Sequence, residues 1–190
     1  FQTETMTIRV GGSEDPVRYL TLNPSESHLV ALRSPQITGR AVGARELYIM
    51  RPKCGLKIAE DAAEAGNTSI KLFCGGARPR LPAVFGFRDK TASRGEIVTL
   101  IGAEGDVYRL GKPLAFSHSR SSALIPLIRL LCAEDGAFFF VVPPEFRPDK
   151  DGKIKLGVLA ERGGILEETE WVAGSSGRTE LGDIKWEKGG

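Results

Sequence analysis

Two histidines, His28 and His118, are the side chains best suited to exchange protons near neutral pH, and each follows a serine, Ser27 or Ser117. They could share a metal ion or act as bases. Neither has an acidic residue or a cysteine at metal-ligand spacing, so a structural or surface role is expected for both and no metal is assigned. Gly75-Gly76-Ala77-Arg78-Pro79-Arg80 has the glycine and cation content of a phosphate loop. It lacks the Gly-Lys-Ser/Thr ending and the helix start that would aim N–H groups at a phosphate, and it reads as a turn. Glu60-Asp61-Ala62-Ala63-Glu64 lacks the oxygen-ligand pattern of a calcium loop and reads as a solvated helical turn. Cys54, Cys74 and Cys132 are odd in number and far apart, which predicts buried free thiols rather than a disulfide framework or a zinc site. No catalytic residue and no cofactor follows from these patterns.

Other residues are suited to binding. Arg78, Arg80, Arg88 and Lys90 stand near Phe85 and Phe87, a mixture that fits backbone attraction and base stacking on a single-stranded nucleic acid. Against it, 26 Lys and Arg face 24 Asp and Glu, and a net charge of +2 supplies no strong field. Protein partners are therefore the first expectation and nucleic acid the second. Trp171 and Trp186 lie in the glycine-rich, charged stretch 162–190, where they are candidate anchors for a partner; packing back on the chain's own core is the alternative. Phe138-Phe139-Phe140 in a strand must point to both faces, so a second face besides the core is covered.

The elements that must position these residues are mostly strands. Alternation, strand-forming composition or, at Ala137–Val142, an apolar run ended by Pro143-Pro144 predicts them at Thr5–Val10, Val17–Leu22, Glu46–Met50, Thr68–Cys74, Glu96–Ile101, Val107–Leu110, Ala137–Val142 and Lys153–Leu159. Ser119–Cys132 is the expected helix: Ser121 or Ser122 could cap it, Pro126 fits its first turn, and Leu124, Leu127, Ile128 and Leu131 share one face. A chain of 190 residues, 41% hydrophobic, suits one domain or two of about 90 residues each. No apolar run reaches the roughly eighteen residues of a membrane span, so a soluble chain is expected. It begins at Phe1, which leaves open a removed leader, with an organellar location, or a truncation.

The pattern recurs at an offset of about 91 residues. Gly11 and Asp15 fall on Gly102 and Asp106; after a one-residue shift Val17, Leu20, Ser27 and His28 fall on Val107, Leu110, Ser117 and His118. Gly43-Ala44, a strand and Pro52 correspond to Gly136-Ala137, a strand and Pro144. In the second half, Glu96-Ile-Val-Thr-Leu-Ile-Gly102, Gly111-Lys-Pro-Leu-Ala-Phe116, Leu124-Ile-Pro126, Gly136 and Phe138-Phe-Phe-Val-Val-Pro-Pro-Glu145 resemble FKBP-type peptidyl-prolyl isomerases in order and spacing. Val42-Gly-Ala-Arg-Glu-Leu-Tyr-Ile-Met-Arg-Pro52 echoes the same family in the first half.

The resemblance implies an α+β, strand-rich fold of two similar halves, each an antiparallel sheet packed on a short helix. The halves would be 1–76 and 95–162, joined by a connector at 77–94 and followed by an extension at 163–190. It also implies an aromatic hollow that holds a twisted X–Pro amide away from water and lowers its ~18–20 kcal/mol rotation barrier. Tyr108, Phe116, Ile125 and Phe146 fall near the family's pocket positions. Ile128 stands where the family has its pocket-floor tryptophan, and Arg109 where it has an acidic residue. These departures imply a degenerate, non-catalytic pair of units acting as a scaffold subunit of a larger assembly. The alternatives are an active prolyl isomerase or chaperone using the second half, and the single-stranded nucleic-acid binder.

Overall fold

The structure is a computed structural model, and it describes residues 34–43, 46–52, 56–60, 62–88, 95–120 and 122–185. The strands expected at Thr5–Val10 and Val17–Leu22 lie outside these residues, as do His28, Cys54, Lys90 and Trp186. The described residues form β1 (Gln36–Val42), β2 (Leu47–Met50), β3 (Leu56–Ile58), β4 (Ala62–Ala63), β5 (Ser69–Cys74), β6 (Ala83–Arg88) and β7 (Gly95–Glu104). They continue with β8 (Val107–Leu110), β9 (His118–Ser119), β10 (Ala123–Leu130), β11 (Ala137–Val141), β12 (Lys153–Arg162), β13 (Ile165–Gly174) and β14 (Arg178–Lys185).

The α+β expectation is thereby corrected. The described residues contain no helix, so none long and apolar enough to cross a membrane, and there is no helix for a sheet to pack on. The helix expected at Ser119–Cys132 is mostly β10. Its leucines mimic helical spacing because the strand is covered on both faces: Leu124 enters one apolar cluster while Ile125 and Leu127 enter another. Pro126 is accommodated where β10 pairs with β6, opposite Phe85, and its carbonyl accepts the Arg51 N–H at 2.9 Å. The connector expected at 77–94 contains β6, and the extension at 163–190 contains β13 and β14. Glu60–Glu64, expected as a helical turn, contributes β4, which pairs with β9.

The chain divides into two compact units. The first takes residues up to Glu46, Leu130–Leu156 and Glu170 onward. In it β1 lies between β11, antiparallel, and β14, parallel. Phe138, Phe140, Phe146, Ile154 and Leu156 are buried, as is Ile37 opposite Phe140, and Phe139, between Phe138 and Phe140, is half-buried. Phe138 stacks on Trp171 with ring centroids 4.9 Å apart.

The second unit, Leu47–Arg129 with Gly157–Thr169, carries the candidate site. Strands β3, β5, β8, β7, β6 and β10 pair in that order, and β10 returns to pair with β3, so six antiparallel strands close into a barrel. Period-two alternation sends Leu56, Ile58, Ile70, Leu72, Phe85, Phe87, Val98, Leu100, Tyr108, Leu110 and Leu124 inward as one core. Part of the outer wall is covered as well. Val84, Ile97, Ile125 and Leu127 of β6, β7 and β10 pack with Tyr48 and Met50 of β2 and with Leu159 and Leu166 of the β12–β13 hairpin.

Candidate functional site

Among the described residues the rest of the barrel's outer wall is not covered in this way. On β5 the sequence Ser69-Ile-Lys-Leu-Phe-Cys74 alternates strictly, with Ile70 and Leu72 inward, so Ser69, Lys71 and Phe73 point outward. The register sets Lys57 of β3 opposite Phe73, Val107 of β8 opposite Lys71, and Arg109 opposite Ser69. Phe73 is 63% exposed, a high value for an aromatic in mid-sheet, and Val107 and Ile101 on the neighbouring strands are exposed too. Arg109 also faces Gly102 of β7, next to the register shift that displaces Ile101. Its guanidinium lies over Gly102, where a Cβ would stand 2.8 Å from Nη2. Among the described residues Lys57, Lys71 and Arg109 make no ion pair.

At one end of this face a polar cleft of about 370 Å³ is lined by Glu60, Asn67, Thr68, Ser69, Lys71 and Val107. Its wall is the turn 64–68, in which Gly66 takes a φ of 87° that a side chain would strain. That turn is tied to the loop 111–118. Gly66 N–H donates to Leu114 O at 2.8 Å, Leu114 N–H to Asn67 O at 3.0 Å, and Leu110 N–H to Thr68 O at 2.8 Å. Ser117 Oγ donates to Glu64 at 2.8 Å and accepts the Ala65 N–H at 3.0 Å.

The loop is anchored in turn by a buried acid. Glu96, 6% exposed, accepts the backbone N–H groups of Ala115 at 2.9 Å and Phe116 at 3.1 Å, and binds His118 Nε2 at 2.7 Å. His118 is 2% exposed and stacks on Phe87 with centroids 4.3 Å apart. A carboxylate has acceptors only, so three donors converging on it satisfy groups that burial would otherwise penalise. Glu96 and His118 thus hold the loop that holds the cleft wall. Ser122 Oγ is buried nearby in sequence and has no hydrogen-bond partner among the described residues.

The residues singled out from the sequence are spread across these settings. Tyr108, 2% exposed, points into the barrel core; Ile125 packs in the outer cluster; Phe116 is half-buried with its ring over Gly164; Phe146 belongs to the first unit. Trp171 is 4% exposed and stacked on Phe138, so it packs on its own unit. Phe85 and Phe87, expected beside the cations as stacking platforms, are core residues. Arg78 pairs with Asp106 at 3.3 Å, and Arg88 pairs with Glu168. Cys74 and Cys132 are free and half-buried; burial pushes the Cys132 thiol pKa up.

Sequence reading missed Glu96 because its partners lie about twenty positions on, beyond any local spacing. It missed Phe73 although the clue was present: an aromatic in the same strand phase as Lys71 belongs to the wet face. No protein-family model matches the chain, and no curated protein matches it either.

Proposed function

We propose that the chain is a non-catalytic interaction module, a scaffold or accessory subunit of a larger assembly, and that its partner docks on the outer face of β3, β5 and β8. One observation carries this reading. The barrel wall is packed under apolar side chains along β6, β7 and β10, whereas along β3, β5 and β8 it presents Phe73 at 63% exposure on the same face as Lys57, Lys71 and Arg109, which make no ion pair among the described residues. Exposed aromatics beside cations are the composition of binding hot spots rather than of inert surface. Tyr108, Phe87 and His118 are enclosed by the core, so the chemistry-bearing side chains of the barrel serve its packing.

The test is site-specific photo-crosslinking in the cells that make the protein, with a benzophenone side chain at position 73 of the full chain. The same group at position 131, also an exposed hydrophobic site, serves as control. Adducts of discrete mass from position 73, absent from position 131 and lost when Lys57 and Lys71 become Glu, support the face as the docking surface. Equal labelling from both positions would remove it.

A further inference from the structure

We propose that the partner of this face is single-stranded nucleic acid, an inference that rests on the interaction-face reading and names its occupant. Four features of the same surface fit that ligand together. Phe73, next to the end of β5, offers a ring with most of its area in water, as a stacking platform requires. Lys71 stands about 7 Å from it along the strand, two residues away, and Lys57 is directly opposite it on β3. These two lysines flank the ring where a backbone stacked over Phe73 would bring its phosphates, and Arg109 lies further along the face, opposite Ser69 with its guanidinium over Gly102 of β7. The cleft beside Lys71 adds the amide of Asn67 and the hydroxyls of Thr68 and Ser69, groups able to hydrogen-bond a base edge or a sugar.

Charge complementarity decides between occupants. Lys57, Lys71 and Arg109 have no ion pair among the described residues, and a phosphate backbone satisfies all three. Glu60 in the cleft and Glu104, opposite Val107, suit the exocyclic amino groups of bases. A protein partner is the weaker fit, since Lys is depleted in protein interfaces and two of the three cations are Lys. The binding set differs wholly from the one the sequence pointed to: Phe85 and Phe87 are buried, and Arg78 and Arg88 are already paired.

The test is fluorescence anisotropy of the full chain with a labelled mixed-sequence deoxynucleotide single strand of about twelve nucleotides, the length one small barrel can occupy. Three phosphate contacts predict a slope of log affinity against log salt near −2, about a twentyfold loss between roughly 50 and 200 mM salt. Phe73→Ala should weaken binding by about tenfold, and Lys71→Gln should reduce the slope by about 0.7. Both side chains are exposed, so both variants should keep the wild-type circular dichroism and melting curve, which separates lost binding from lost folding. An acidic, aromatic peptide is titrated in parallel. Tighter binding of the peptide than of the strand overturns the nucleic-acid inference while leaving the interaction face standing. Absence of saturable strand binding overturns it, as does binding indifferent to Phe73→Ala.

Discussion

Replacing Glu96 by Gln keeps its shape and removes only its charge and one acceptor. Oε1 takes two donors, from Phe116 N and His118 Nε2, while Oε2 takes one, from Ala115 N. The amide therefore settles with its oxygen in the Oε1 position and turns its NH2 toward the Ala115 N–H, opposing donor to donor. One bond is lost outright, at about 1–3 kcal/mol, and the two that remain lose charge assistance, at about 1 kcal/mol more. The expected loss is about 2–4 kcal/mol, or a melting point lower by roughly 6–12 °C for a chain of this size. Glu96→Ala, which removes all three acceptors, should cost more, about 3–5 kcal/mol.

The local consequence is the sharper one. Hydrogen exchange should accelerate first at Ala115 and Phe116, then at Gly66 and Leu114, whose N–H groups join the loop to the cleft wall. The measurements are thermal melting by far-ultraviolet circular dichroism and amide exchange by mass spectrometry. A Glu96→Gln melting point within about 1 °C of wild type, with unchanged exchange at Gly66 and Leu114, would refute the role given to Glu96.

Other outcomes follow from the same structure. Gly39→Ala places a Cβ 2.8 Å from Phe138, whose ring is backed by Trp171 and cannot yield freely, so unfolding should become easier by about 1–3 kcal/mol in denaturant titrations. Trp171→Ala should cost about 3–5 kcal/mol, whereas Trp171→Phe, which keeps the stack and removes an Nε1 donor with no partner among the described residues, should lie within about 1 kcal/mol of wild type. The hydrogen bond from Arg40 holds the Asp183 pKa below its ordinary value and raises that of Arg40. Asp183 therefore contributes stability above its unfolded-state pKa and loses it as pH falls through the lowered folded value; carboxyl NMR titration should show Arg40→Met returning Asp183 toward the ordinary range. A proline-peptide assay should show no acceleration over the uncatalysed rate, because Tyr108 is enclosed in the barrel core.

Strands with one wet and one dry face were legible. Thr68–Cys74 and Val107–Leu110 were placed within a residue of β5 and β8, because period-two alternation survives wherever one side meets water, and Ala137–Val142 was placed within a residue of β11 as an apolar run closed by Pro143-Pro144. Where both sides are buried the alternation disappears, which is why β10 resembled a helix. β6 was masked differently: the prolines and arginines around it gave the stretch the composition of a linker, although Phe85 and Phe87 alternate with Gly86 inside it. The architecture implied by the FKBP resemblance depended on that helix and falls with it. Of the candidate site, Lys71 and Phe73 were readable from strand phase. Lys57, Arg109 and the cleft were not, because cross-strand register joins residues far apart in sequence.

Whether the outer face of β3, β5 and β8 is the docking surface is tested most directly by amide chemical-shift mapping of the full chain, titrated with the single strand and separately with the acidic peptide. Shifts confined to Lys57, the cleft turn 66–69, Lys71, Phe73, Gly102, Val107 and Arg109, with whichever ligand binds, are the expected result. Shifts centred on β1, β11 or β14, with the β5 and β8 amides unmoved, would contradict the assignment of this face.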